Sequence, residues 1–76
     1  MSKTITGTII SFRTRKLEDR IVTEIGIQPE KGDSVSVILR ANYKMKKGTN
    51  VKVSYRTIKD CNLSIAYTNL DKRFGS

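Results

Sequence analysis

The chain has 76 residues, with 15 Lys and Arg against 7 Asp and Glu for a formal charge of +8, and it holds one cysteine and no histidine. A chain of this length forms one small domain whose core supplies only about 3–5 kcal/mol of net stability, so there is little room for a deep buried pocket. Cys61 alone makes no internal disulfide, and without histidine the usual zinc ligand sets cannot be assembled.

Apolar residues recur with period two through almost the whole sequence, which predicts strands rather than helices. The first strand is predicted over Lys3–Arg13, rich in β-branched residues. Ile5 and Ile9 share one face while Ile10 and Phe12 share the other, so either both faces are partly covered or a bulge changes the parity, with Gly7 the expected point of bending. A second strand fits Arg20–Gln28, with Ile21, Ile25 and Ile27 toward the core and Glu24 opposite. Residues 29–33 (Pro-Glu-Lys-Gly-Asp) have the chemistry of a turn between antiparallel neighbours. The third strand, Ser34–Arg40, sends Val35, Val37 and Leu39 one way and Ser36, Ile38 and Arg40 the other.

Alternation stops over residues 41–50, which read as a basic loop with a short turn or as one helical turn ended by Gly48, the loop being favoured. It resumes at Val51–Arg56, with Val51, Val53 and Tyr55 inward and Lys52, Ser54 and Arg56 outward. Residues 59–62 supply the next turn, and a fifth strand over Leu63–Thr68 offers Leu63, Ile65 and Tyr67 to the core. Residues 71–76 carry no pattern and are expected to form a flexible tail, leaving 1–70 as a single β-barrel domain.

Five strands with one interruption suit an all-β, small five-stranded antiparallel barrel, because a flat sheet of this size would leave an edge and a face uncovered. The order of elements resembles an OB-fold: a long, glycine-bent first strand, a meander through strands two and three, an irregular connection, then two more strands. The stretch from Lys46 to Tyr55, basic then glycine, polar residues and alternating valines, is similar to the entry into the fourth strand of many OB domains. The resemblance runs from Thr4 to Leu70 and is architectural; small SH3-like barrels share much of the pattern. Cold-shock proteins, OB domains of this size, carry paired aromatic and glycine motifs on strands two and three, where Ile21–Gln28 and Val35–Arg40 contain no aromatic residue.

Catalysis has little to draw on: there is no histidine for acid–base work and no imidazole to activate Cys61. The carboxylates Glu18, Asp19, Glu24, Glu30, Asp33, Asp60 and Asp71 fall mainly in turns beside Lys or Arg, as solvated ion partners, and there is no glycine-rich phosphate loop. The chain therefore reads as a non-enzyme with no metal or cofactor. No apolar run approaches the roughly 18 residues that span a bilayer, and the first residues lack the apolar block of a signal peptide, so the expected setting is soluble, intracellular and cytoplasmic, away from membranes.

The basic residues fall into groups. Arg13, Arg15 and Lys16 follow Phe12 at the first turn; Arg40, Lys44, Lys46 and Lys47 surround Tyr43; Lys52, Arg56 and Lys59 lie on the fourth strand and the turn after it. In an OB-type barrel the first turn and the turn between strands four and five flank a groove across strands two and three, so the resemblance implies one cationic track. Nucleic acid is the expected partner, single-stranded DNA or RNA favoured, with Lys and Arg on phosphates and hence weak sequence preference and strong salt dependence. Phe12 and Tyr43 are the candidate stacking platforms, Tyr55 and Tyr67 read as core, and Arg40 and Arg56, held by strands, suit base or stacking contacts. Two alternatives stand beside this reading: a duplex DNA binder using the outer sheet face, and a module that docks on an acidic protein partner or a second copy of itself, through an edge strand or the face carrying Ile10 and Ile38.

Overall fold

The computed structural model describes residues 2–71; residues 1 and 72–76 lie outside the described part, and with them all but the first residue of the expected 71–76 tail. The described residues form five strands and no helix: β1 Lys3–Leu17, β2 Arg20–Pro29, β3 Val35–Leu39, β4 Asn50–Ile58 and β5 Cys61–Asn69. They make one mixed sheet that closes on itself in the order β1-β2-β3-β5-β4 and back to β1.

The closure depends on β1, whose 15 residues serve two neighbours. Its first half pairs with β4, from Lys3↔Tyr55 to Thr8↔Asn50, and its second half pairs with β2, from Gly7↔Pro29 to Leu17↔Arg20. Gly7 and Thr8 carry both partners, and at Gly7 a Cβ would overlap the carbonyl oxygen of Gln28, so only glycine lets the strands approach there. The parity change foreseen for this strand falls three residues later: the register steps from Ile9↔Ile27 to Ser11↔Gly26, leaving Ile10 as the bulged residue. Phe12 consequently stands opposite the core residue Ile25 instead of on the face away from the core, yet remains 42% exposed.

Strand ends differ from the sequence expectation at both hairpins. β1 runs to Leu17 and turns at Glu18 and Asp19, which places Arg13, Arg15 and Lys16 on the strand and not in the turn. The second hairpin turns at Lys59 and Asp60 alone, because Cys61 and Asn62 already pair with Ile58 and Thr57. One junction of the ring is parallel. β3 is followed by a connection that crosses the barrel end, so β4 returns beside β1, and β5 meets β3 running in the same direction through the register pair Ile38↔Leu63. Asn62 Nδ2 reinforces this seam by donating to the Ser36 carbonyl at 3.1 Å.

Inside the ring, Ile5, Ile9, Ile25, Ile27, Val37, Leu39, Val51, Val53 and Tyr55 form the core, with Val35, Met45 and Tyr67 packed against it. Burying each such aliphatic side chain is worth about 1.5–3 kcal/mol against exposure. Ile21 and Ile65, expected in the core, are 50% and 47% exposed. Ile21 sits near the tip of the first hairpin opposite Lys16, and Ile65 occupies a second bulge, where the register steps from Ser54↔Ala66 to Tyr55↔Ser64 and buries Ser64 instead.

The connection from Arg40 to Thr49 is a loop with one turn at Lys47 and Gly48, the latter at φ 91°. It is stitched to the barrel end. Thr23 Oγ1 donates to the Ala41 carbonyl and accepts from the Tyr43 amide, both at 2.9 Å, while Gly48 N donates to Ile9 O and Ile9 N to Thr49 O. Tyr67 Oη donates to Met45 Sδ at 3.6 Å, which seats Met45 against the core.

Candidate nucleic-acid interface

Paired residues in neighbouring strands share a face, so the register defines one row across the outside of the sheet: Arg13, Glu24, Ile38, Leu63 and Arg56, on β1, β2, β3, β5 and β4 in turn. The next row toward β3's start is Ser11, Gly26 and Ser36, all small. A Cβ on Gly26 would stand 2.6 Å from Ser11 Oγ, so glycine keeps this row low. Together the two rows make the floor of a groove over β2 and β3.

Three adjoining cavities trace the groove. One of about 270 Å³ lies over Ser11, Phe12, Gly26 and Ser36. It shares Glu24 and Ser36 with a central cavity of about 580 Å³ walled by Arg15 and Leu17 on one side and Asp60, Cys61 and Asn62 on the other. The central cavity shares Leu17 and Ile38 with a third, of about 320 Å³, that reaches Arg20, Val22, Arg40 and Leu63. Ile38, read from sequence as an outward aliphatic available for docking, is only 5% exposed, because it lies at the bottom of this groove.

At the centre Glu24 holds two arginines. Arg13 Nε donates to Glu24 Oε1 at 2.6 Å and Arg15 Nη1 to Oε2 at 3.0 Å. Desolvation pushes the Glu24 carboxyl upward, but the hydrogen bonds and charges of Arg13 and Arg15 together outweigh it and hold the group below the ordinary value of 4.5. Along the groove Arg13, Arg15, Arg20 and Arg40 face Glu18, Glu24 and Asp60, so its charges nearly balance. Part of the basic excess lies just beyond Arg40, where residues 41–50 carry Lys44, Lys46 and Lys47 and no carboxylate.

Of the residues singled out from sequence, Arg13, Arg15 and Arg40 line the groove, Phe12 borders its first cavity from the other face of β1, which it shares with Lys16, Arg56 stands at the far rim beside Leu63, and Lys59 sits in the turn next to Asp60. Lys16 takes the opposite face of the hairpin from Arg15 and Leu17. Lys44, Lys46 and Lys47 are exposed on the connection at the barrel end, contiguous in sequence with Arg40. Lys52 belongs to the row Thr6, Lys52, Thr68, which includes no groove residue. Tyr43 is 41% exposed and sits at the barrel end, its ring 5.1 Å from that of Tyr67 at a 50° tilt; burial and the neighbouring Tyr43 raise the Tyr67 hydroxyl above its ordinary value.

Sequence reasoning missed Arg20 and the organising part played by Glu24. The signal for Glu24 was its outward position between buried Thr23 and Ile25, on the strand expected to floor the groove. For Arg20 no signal separated the first residue of a strand from any exposed cation. Among the described residues no cluster of three or more Cys, Asp or Glu is placed to hold a metal ion, and no helix is long and apolar enough to cross a membrane. No family model matches the sequence, and neither a curated protein nor a solved structure matches it.

Proposed function

We propose that the protein is a non-catalytic binder of single-stranded DNA or RNA, of OB-fold type, acting inside the cell, where the lone Cys61 stays a thiol. The observation that carries this reading is the groove over β2 and β3, bounded by the β1–β2 hairpin and the β4–β5 turn and opening at Arg40 onto a carboxylate-free basic stretch. The ring order β1-β2-β3-β5-β4 and the position of the groove correspond to the face and loops with which OB domains hold oligonucleotides. In this reading bases enter the nearly neutral, half-apolar groove, with the exposed Phe12, on the other face of β1, as a stacking surface beside it, and phosphates follow Arg40, Lys44, Lys46 and Lys47. Contacts to phosphate carry no sequence information, so preference among bases is weak.

Fluorescence anisotropy with labelled single- and double-stranded oligonucleotides at two salt concentrations tests it. Tighter binding of the single strand, weakening steeply with salt, is the expected result. Equal or tighter binding of the duplex overturns the single-strand assignment, and no binding of either at low salt overturns nucleic acid as the partner, leaving an acidic protein as the ligand to seek.

A further inference from the structure

We infer that Glu24 is a specificity-determining residue which keeps phosphate out of the groove floor, so that nucleobases and not the backbone occupy it. This rests on the single-strand reading and adds the orientation of the ligand. Arg13 and Arg15 are the cations nearest the centre of the floor, and both spend hydrogen bonds on one carboxylate at 2.6 and 3.0 Å. That carboxylate is partly shielded, at 22% side-chain exposure, whereas Arg13 is 69% exposed. A phosphate reaching for the two guanidiniums meets Glu24 between them. It also meets Asp60, which lines the same cavity from the opposite wall.

The charged groups facing Glu24 are thus Arg13 and Arg15 from β1 and Asp60 from the β4–β5 turn, while β3 contributes the uncharged Ser36 and Ile38. An anion gains little from such a set. A neutral base gains more: guanidinium N–H groups not engaged by Glu24 still donate to ring nitrogens and carbonyls, and Ile38 and Leu17 offer apolar surface to a base face.

Glu24→Gln keeps the shape and removes the charge. Its test is anisotropy against a single-stranded DNA oligonucleotide and an abasic strand of the same length, each over a series of salt concentrations, with thermal melting to show that the variant is folded. The wild-type protein is expected to bind the intact strand at least tenfold more tightly than the abasic one. The variant is expected to bind the abasic strand at least threefold more tightly than wild type, with a salt slope steeper by about 0.7 for each phosphate newly admitted. Arg13→Gln is expected to change wild-type affinity for the abasic strand less than twofold, and to abolish the gain when combined with Glu24→Gln. An unchanged or weaker abasic interaction in Glu24→Gln, or a tenfold loss from Arg13→Gln alone, overturns the inference while leaving single-strand binding intact. Failure of wild type and variant alike to bind either strand at low salt overturns the function proposed above and this inference with it.

Discussion

At the scale of single residues the proposed function rests on Phe12 and Glu24, and each is testable apart from the other. Phe12 is 42% exposed and outside the packed core, so Phe12→Ala should leave the melting temperature within a few degrees while weakening single-strand binding by about 1–3 kcal/mol, the usual worth of one stacked base. Anisotropy and thermal melting on the same sample separate the two effects. Glu24 has a carboxyl pKa depressed in the folded state, so its ion pairs stabilise the fold above its ordinary value of 4.5 and that contribution disappears as pH falls through the lower folded value. Partly exposed pairs are worth about 0.2–1 kcal/mol each. Urea denaturation at pH 7 should therefore show Glu24→Gln slightly less stable than wild type, and the difference should shrink as pH falls below 4.5 and the carboxylate is protonated. Equal stability at pH 7 would mean that the paired geometry contributes nothing.

Hairpins are where element-scale strain is concentrated. Lys59 and Asp60 both adopt positive φ, 48° and 65°, the conformation of a two-residue turn that favours Asn-Gly. Side chains other than Gly, Asn or Asp pay roughly 1 kcal/mol there. Lys59→Asn combined with Asp60→Gly should raise stability by about 1 kcal/mol, seen as a melting temperature higher by about 4–8 °C for a domain of this size. No increase would show that the turn is held by its surroundings instead of by its own preference. The sequence announced this turn but not its length, because Cys61 and Asn62 look like turn residues and enter β5 only through pairing with Ile58 and Thr57. Likewise the sequence allowed for a bulge in β1 but not its place at Ile10, since any of these β-branched residues pairs equally well until β2 is in place.

Over the whole molecule, charge and shape are divided between neighbouring surfaces. The groove is nearly neutral, and the connection after β3 holds Arg40, Lys44, Lys46 and Lys47 without a carboxylate. If those cations meet about four phosphates, the logarithmic salt slope for a single strand is about −3, a loss of about 50-fold between 50 and 200 mM salt. Replacing Lys44, Lys46 and Lys47 by Gln should flatten that slope toward −1 and weaken binding alike for all sequences, whereas a slope unchanged by the triple substitution would place the phosphates elsewhere on the surface.

Period-two alternation, β-branched content and the glycine and proline positions were enough to define an all-β chain of five strands, the identity of most core residues and the basic groups, because each is a local property of the polypeptide. The loop character of residues 41–49 was legible for the same reason: the alternation stops there. Tertiary structure alone decided the parallel seam between β3 and β5, the exposure of Ile21 and Ile65, the burial of Ile38 and the capture of Arg13 and Arg15 by Glu24. Each depends on which strands become neighbours when the ring closes, and a pairing between residues nine or more positions apart has no local imprint for a sequence to display.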